Sequence, residues 1–272
     1  MKWGIDVSRW QGNFNFAKAK QEGVEFAILK AGGGDAGLYK DGKFDRNYTE
    51  CMKNNIPAGA YFFGCAMDTA TAIKEADYFC KLIAGRTYPM KVWYDVEAKM
   101  LKSKYIANIV VTFIERVKSY GYECGIYASA STLKTLCKTP AINNYPHWVA
   151  QWTKKPPTIA TEIWQFGGET NLIRSNKVAG VVCDQNYLMD TTVEKPVTTE
   201  KPAEEEAKMK QIKKGSKGNA VKVWQIIIGE TADGIFGEKT LQKTLAFQKK
   251  KGLVQDGIVG QKTWKAGLES LK

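Results

Sequence analysis

Lys91-Val92-Trp93-Tyr94-Asp95-Val96-Glu97, residues 91–97, is an apolar run that ends in two acids. Extended backbone sends alternate side chains to opposite faces, so in a strand Asp95 and Glu97 share a face with Cα atoms roughly 6.5 to 7 Å apart. Two acids side by side where a buried strand runs out repel each other and are poorly solvated. Their surroundings can raise the pKa of one and leave the other ionised. Taken alone, the stretch fits equally well a strand that simply ends in polar residues at a loop.

Working outward, seven more short apolar runs of strand type accompany Val92–Glu97: Trp3–Ser8, Phe26–Gly32, Ala58–Gly64, Cys124–Ser129, Trp148–Trp152, Ile163–Phe166 and Val181–Leu188. Helix-compatible segments at 15–23, 44–55, 70–84 and 103–120 separate the first of them. Strands alternating with helices predict parallel strands and an α/β fold, an irregular TIM-like β/α barrel over residues 1–190. The irregularity is expected after about residue 131, where the connections are short and polar. A doubly wound open sheet competes, but Gly32-Gly33-Gly34 lacks the context of a phosphate-binding loop.

Residues 191–210 contain no aromatic residue and mix Pro196 and Pro202 with Thr, Glu and Lys, the composition of a semi-extended linker. Beyond it, Asp233-Gly-Ile-Phe-Gly-Glu-Lys-Thr240 recurs as Asp256-Gly-Ile-Val-Gly-Gln-Lys-Thr263. Each copy opens with an Asp-Gly turn and enters a helical pattern. Helices at about 218–229, 238–251 and 261–271 predict a small all-α bundle over 211–272, with Trp224, Leu241, Leu245, Phe247, Trp264 and Leu268 as core.

The chain has 272 residues, 44% hydrophobic, with eight Trp, twelve Tyr and eleven Phe, enough for a packed core. No run approaches the ~18 apolar residues of a membrane helix, and Met1–Asp6 reads as strand rather than as a secretory signal. Membrane insertion is not expected. Cys51, Cys65, Cys80, Cys124, Cys137 and Cys183 show no C-x-x-C spacing and read as reduced core thiols. One histidine, His147, argues against zinc, Ser-His-Asp and Cys-His hydrolytic sites, so neither a metal nor a cofactor is expected. Net charge is +12, and residues 211–272 hold twelve lysines against five acids. Such a module favours a polyanionic partner: nucleic acid, an anionic membrane or an anionic wall polymer.

Active residues of β/α barrels gather at the C-terminal ends of the strands. Asp6, Asp95, Glu97 and Asp184 are read there, the first and last strands being neighbours in a closed barrel. Tyr61, Tyr127, Gln151, Trp152, Trp164 and Gln165 sit at similar strand ends. Aromatic faces interleaved with polar groups suit sugars, although Trp164 taken singly fits ordinary core.

GIDVSRWQG at 4–12, FAILKAGGG at 26–34, GAYFFG at 59–64, YDVEA at 94–98, GIYAS at 125–129 and CDQNYL at 183–188 occur in one order. Together they resemble glycoside hydrolase family 25, the muramidases found in many phage endolysins. The resemblance covers residues 1–190. It implies an irregular β/α barrel that hydrolyses the bond from N-acetylmuramic acid to N-acetylglucosamine in bacterial peptidoglycan. Residue by residue, Glu97 matches the family's general acid, and Asp6, Asp95 and Asp184 its other active-site carboxylates. One departure is Phe62, where many relatives have histidine, which leaves the subsite contact there open. Residues 211–272 resemble the peptidoglycan-binding domain type 1 family through the paired turns, Phe247-Gln248 and Gly252-Leu253. Val223-Trp224-Gln225 stands where that family usually has a Leu-Gln pair.

The resemblance implies protonation of the glycosidic oxygen by Glu97. Attack then comes either from a carboxylate, Asp184 or Asp6, or from the substrate's own 2-acetamido oxygen held by Asp95. The second route is preferred because a D-x-E pair suits acid plus acetamido holder, and both routes predict retention. Peptidoglycan and anionic wall polymers are the expected partners, and nothing beyond charge supports nucleic acid. A non-catalytic wall-binding protein and a bacterial autolysin are the alternatives. Without a secretory signal, an endolysin is expected to stay in the host bacterial cytoplasm until released to the cell wall.

Overall fold

The computed structural model describes residues 1–35, 37–189 and 211–270; the linker expected at 191–210 lies outside the described residues. The strands are β1 (Lys2–Val7), β2 (Phe26–Gly33), β3 (Ala58–Phe63), β4 (Val92–Asp95), β5 (Cys124–Ser129), β6 (His147–Ala150), β7 (Ile163–Gly167), the short β8 (Lys177–Val178) and β9 (Val181–Val182), and β10 (Asp184–Leu188). Eight of them close a barrel in the order β1-β10-β7-β6-β5-β4-β3-β2, while β8 and β9 form a separate hairpin. Closure excludes the open doubly wound sheet.

Helices α1 (Phe16–Gln21), α2 (Phe44–Lys53), α3 (Thr69–Ile83), α4 (Ile106–Ser119) and α5 (Ala130–Leu136) follow β1 to β5 in turn. The seven-residue α5 lies where only a short polar connection was expected, and Ser129 caps it by accepting from the Thr132 amide at 3.2 Å. From β1 round through β7 every pairing is parallel, but β10 runs antiparallel to both β1 and β7. The connection from β7 to β10 contains no α-helix. Without a crossover the chain re-enters the sheet at the end it left, which makes the strand antiparallel.

Strand alternation sorts the apolar side chains into two groups. Ile5, Leu29, Phe62, Tyr94, Val96, Ile126 and Val149 point outward and pack with helix residues such as Phe79 and Phe113. Phe26, Ile28, Trp93, Trp148 and Ile163 point inward and plug the barrel. Small residues opposite make room for the plug. A Cβ at Gly4 would stand 2.5 Å from the Phe26 ring, and one at Gly125 2.5 Å from that of Trp93.

Residues 211–270 have their own core. Helices α6 (Asn219–Ile227), α7 (Glu238–Lys250) and α8 (Gln261–Glu269) enclose Trp224 and Trp264, with ring centroids 5.3 Å apart. Leu241 and Phe247 pack against this core, whereas Leu245 and Leu268 are half-buried. The repeat has a polar hinge that the hydrophobic pattern did not reveal. The Gln225 amide donates to Asp233 Oδ1 (2.8 Å), the Ile235 carbonyl (3.0 Å) and Thr240 Oγ1 (3.0 Å), and its oxygen accepts from the Gly234 amide (2.9 Å). Gln248 repeats the set on Asp256 Oδ1, Ile258, Thr263 and Gly257. Each glutamine staples its Asp-Gly turn to the start of the next helix.

Candidate active site

The inward positions just above the apolar plug are polar. Asp6 comes from β1, Lys30 from β2, Tyr61 from β3, Asp95 from β4, Tyr127 from β5, Gln165 from β7, and Asp184 and Asn186 from β10. Asp95 pairs in register with Phe63 on one side and Tyr127 on the other. Glu97 lies two residues on, past the end of β4, with its backbone still extended (φ −140°, ψ −170°), so the alternation continues through it. Ala98 then turns sharply at φ 48°, a left-handed conformation unusual for a residue with a Cβ, and opens the 3-10 turn Ala98–Lys102. Asp184 is the first residue of β10, not near its end as the parallel reading held. It reaches the mouth because its strand is antiparallel.

Two amides hold Asp6. Its Oδ2 accepts from Gln165 Nε2 at 3.0 Å and from Asn186 Nδ2 at 2.8 Å. Neither amide can be reversed without loss. Asn186 Oδ1 takes the Trp148 indole N–H at 2.7 Å, and Gln165 Oε1 takes the Tyr127 hydroxyl at 2.9 Å and the Trp152 indole N–H at 3.1 Å. An indole nitrogen only donates, so both amide NH₂ groups must face the carboxylate. Asp95 has no such support: its Oδ1 is fully buried without a hydrogen-bond partner.

Burial and mutual repulsion raise all four acids. Desolvation pushes Asp6 to about 6, against the pull of its two amides and with help from Glu97. Asp184 rises to about 8 through burial and the nearby charges of Asp6, Glu169 and Glu97. Asp95 is raised well above the ordinary carboxylate range by burial and then by Glu97, and half-buried Glu97 is raised by burial. Lys30 opposes the rise at both Asp95 and Glu97. A mouth holding four such acids keeps protons at neutral pH and can offer one to a leaving group.

The other expected positions divide. Tyr61 and Tyr127 face the mouth, where burial, and then the acids' charges, raise both phenols. Trp152 is 41% exposed at the rim, its indole bonded to Gln165. Gln151 instead braces its own loop through Thr153 Oγ1 and the Lys155 carbonyl. Trp164 is not in the mouth: alternation turns it outward, where it packs on Phe166 and Tyr187 and donates to the Gln151 carbonyl at 2.8 Å. Phe62 likewise faces the helices, stacked on Phe113, so the departure there touches no mouth position. His147 begins β6, at the end of the strand opposite the mouth, between the carbonyls of Ala160 and Ile142. Lys30 and Asn186 were missed as site residues, although the spacing offered both. Asn186 is two residues from Asp184, and Lys30 is two from inward Ile28.

A family model described as "Glycosyl hydrolases family 25" matches residues 5–173, and one described as "Putative peptidoglycan binding domain" matches residues 220–266. Lysozyme M1 of Streptomyces globisporus is 30% identical over 203 residues, 65% of this chain and 67% of that protein. Among solved structures, a bacterial lysozyme from Streptomyces coelicolor superposes with a TM-score of 0.57 at 29% identity, covering 70% of this chain and 93% of that one. The CTP1L endolysin gives 0.58 at 26% identity, covering 70% and 67%. With a matching barrel and a model that covers well over half of its length, the chain belongs to the glycosyl hydrolases of family 25.

Proposed function

We propose that this protein is a lysozyme that hydrolyses the β-1,4 bond between N-acetylmuramic acid and N-acetylglucosamine in bacterial peptidoglycan. The observation that carries this reading is the convergence of Asp6, Asp95, Glu97 and Asp184 on one barrel mouth rimmed by Tyr61, Tyr127 and Trp152. Relatives named lysozymes support the same substrate.

In the proposed chemistry Glu97 gives its proton to the glycosidic oxygen as the bond to the anomeric carbon breaks. Asp95, two residues before Glu97 on the same face, holds the 2-acetamido N–H, which turns the acetamido oxygen onto that carbon to close an oxazolinium ring. Water, deprotonated by Glu97, then opens the ring with net retention. Direct addition by Asp6 or Asp184 is the competing second half. Residues 1–190 are the catalytic part, 191–210 the linker and 211–272 the wall-binding module. Twelve lysines in that module suit anionic wall polymers as well as glycan. Likeness to the CTP1L endolysin supports a phage-type lytic role, in which the protein accumulates in the host cytoplasm before release.

Mass spectrometry of borohydride-reduced digestion products tests the bond cleaved. Reduced muramitol ends are expected, and glucosaminitol ends or freed peptides would overturn the assignment. Glu97→Gln should still pellet with walls yet lose roughly 10²- to 10⁴-fold in clearing rate, and lysis at the wild-type rate would remove Glu97 from its role. An α-anomer as the first product seen by NMR would exclude both retaining routes.

A further inference from the structure

Beside the acids the mouth opens into a cavity of about 520 Å³ lined by Arg9, Trp10, Lys30, Asp35, Tyr39 and Phe63, of a size that holds a sugar or a comparable group. Apart from Lys30, none of these side chains takes part in the chemistry above.

Two cations, Arg9 and Lys30, line the cavity; the charge of Lys30 also acts on Asp95 and Glu97, whereas Arg9 has no carboxylate partner among the described residues. The Arg9 guanidinium lies 5.0 Å from the Trp10 ring centroid and 5.4 Å from that of Tyr39, and Lys30 Nζ lies 4.8 Å from the Phe63 ring. Aromatic faces hold both groups in place. Among the described residues no carboxylate comes within ion-pair distance of either one. Buried Asp41 meets Arg9 only at the backbone: it accepts the backbone amides of Arg9 (3.0 Å) and Lys43 (2.9 Å). Arg9 itself sits on a rigid turn, Arg9–Gln11, closed by reciprocal hydrogen bonds between Ser8 and Gln11. Asp35 is the single acid of the lining, and it is exposed. Arg9 and Trp10 are exposed as well, so the guanidinium is held against aromatic rings but open to a ligand; arginine suits a carboxylate best because its fork binds both oxygens.

A chain of N-acetylated hexosamines is neutral except at the lactyl ether of muramic acid, which carries either its own carboxylate or the carboxylates of an attached peptide. We propose that this cavity binds the carboxylate-bearing lactyl arm of the muramic acid at the scissile bond. Arg9 is then a specificity-determining residue that separates muramyl glycan from plain N-acetylglucosamine polymer. This assignment rests on the mouth being a muramidase site.

The test compares the full-length protein with Arg9→Gln and Arg9→Lys on three soluble wall glycans: peptide-bearing, peptide-free with free lactyl carboxylates, and peptide-free with those carboxylates converted to neutral amides. On a carboxylate-bearing glycan Arg9→Gln should raise KM roughly ten- to a hundredfold with little change in kcat, and Arg9→Lys should recover part of the loss. On the amidated glycan wild type and variant should coincide. A KM effect confined to the peptide-free acid names the lactyl carboxylate as the ligand; one confined to the peptide-bearing glycan names the peptide. Equal KM values for wild type and Arg9→Gln on all three glycans, or an equal loss on all three, would overturn the cavity's role. Muramitol ends from wild type in that same experiment would show that only the cavity assignment has failed, whereas their absence would sink the muramidase reading itself.

Discussion

Asp6 and Asp184 stand directly opposite each other on the antiparallel rung between β1 and β10. Like charges on facing strand positions repel, and the pair escapes by unequal support. Asp6 has two amide donors and rises only to about 6, while Asp184 rises to about 8. At neutral pH the pair therefore holds about one proton, and burial favours Asp184, which lacks amide donors, as its seat. A protonated carboxyl is a poor nucleophile, which weighs against direct addition by Asp184 and leaves Asp6 as the competing carboxylate.

The pair makes stability depend on pH. Both acids are raised from an ordinary 3.8, so between that value and about 8 the folded state binds more protons than the unfolded chain. Their contribution to stability is greatest below that window and falls as pH rises through it. Thermal unfolding should show Tm declining from about pH 4 to 8. Asp184→Asn should flatten the decline and raise Tm at pH 8, by about 2–4 °C for each kcal/mol relieved. An unchanged slope in the variant would mean that the rung is not strained.

Asn186→Leu removes an amide that both lowers the Asp6 pKa and satisfies the Trp148 indole. Orphaning the indole should cost about 1–3 kcal/mol. The acidic limb of kcat/KM against pH should move to higher pH as Asp6 loses its donor. Denaturant unfolding and a pH–rate profile measure the two effects separately, and a limb that stays in place would show that Asp6 does not control it.

Gly168 is a lever on Asp184. A Cβ there would lie 1.8 Å from Asp184 Oδ1, so alanine must displace the carboxylate. Gly168→Ala should fold and yet lose about tenfold or more in hydrolysis rate, since small misplacements of active groups are costly. Circular dichroism alongside a glycan-release assay checks this, and full activity would place Asp184 outside the reacting geometry.

In the C-terminal module Gln248→Ala deletes the staple that joins Asp256, Ile258, Thr263 and Gly257. About 2–4 kcal/mol of that module's stability should go, from several lost hydrogen bonds and an orphaned buried amide. Co-sedimentation with walls should weaken, with hydrolysis of soluble glycan unchanged. Gln225→Ala should behave alike, because it makes the same contacts 23 residues earlier.

Alternation along Lys91–Glu97 was enough to seat Asp95 and Glu97 on one inward face, because side-chain direction in a strand follows from local backbone geometry. The same rule, applied strictly, would have turned Trp164 outward beside inward Gln165 and brought Lys30 and Asn186 into the mouth. The sequence by itself thus determined the eight strands, the helical module and the four acids. What it could not determine was the direction of β10, since the period of a strand reads the same in either sense. The helix-free connection from β7 made β10 antiparallel, and only closure of the barrel then set Asp184 against Asp6 and left Gln165 and Asn186 locked by two indoles onto one carboxylate. Those contacts join residues up to 180 positions apart, a separation across which no local pattern carries information.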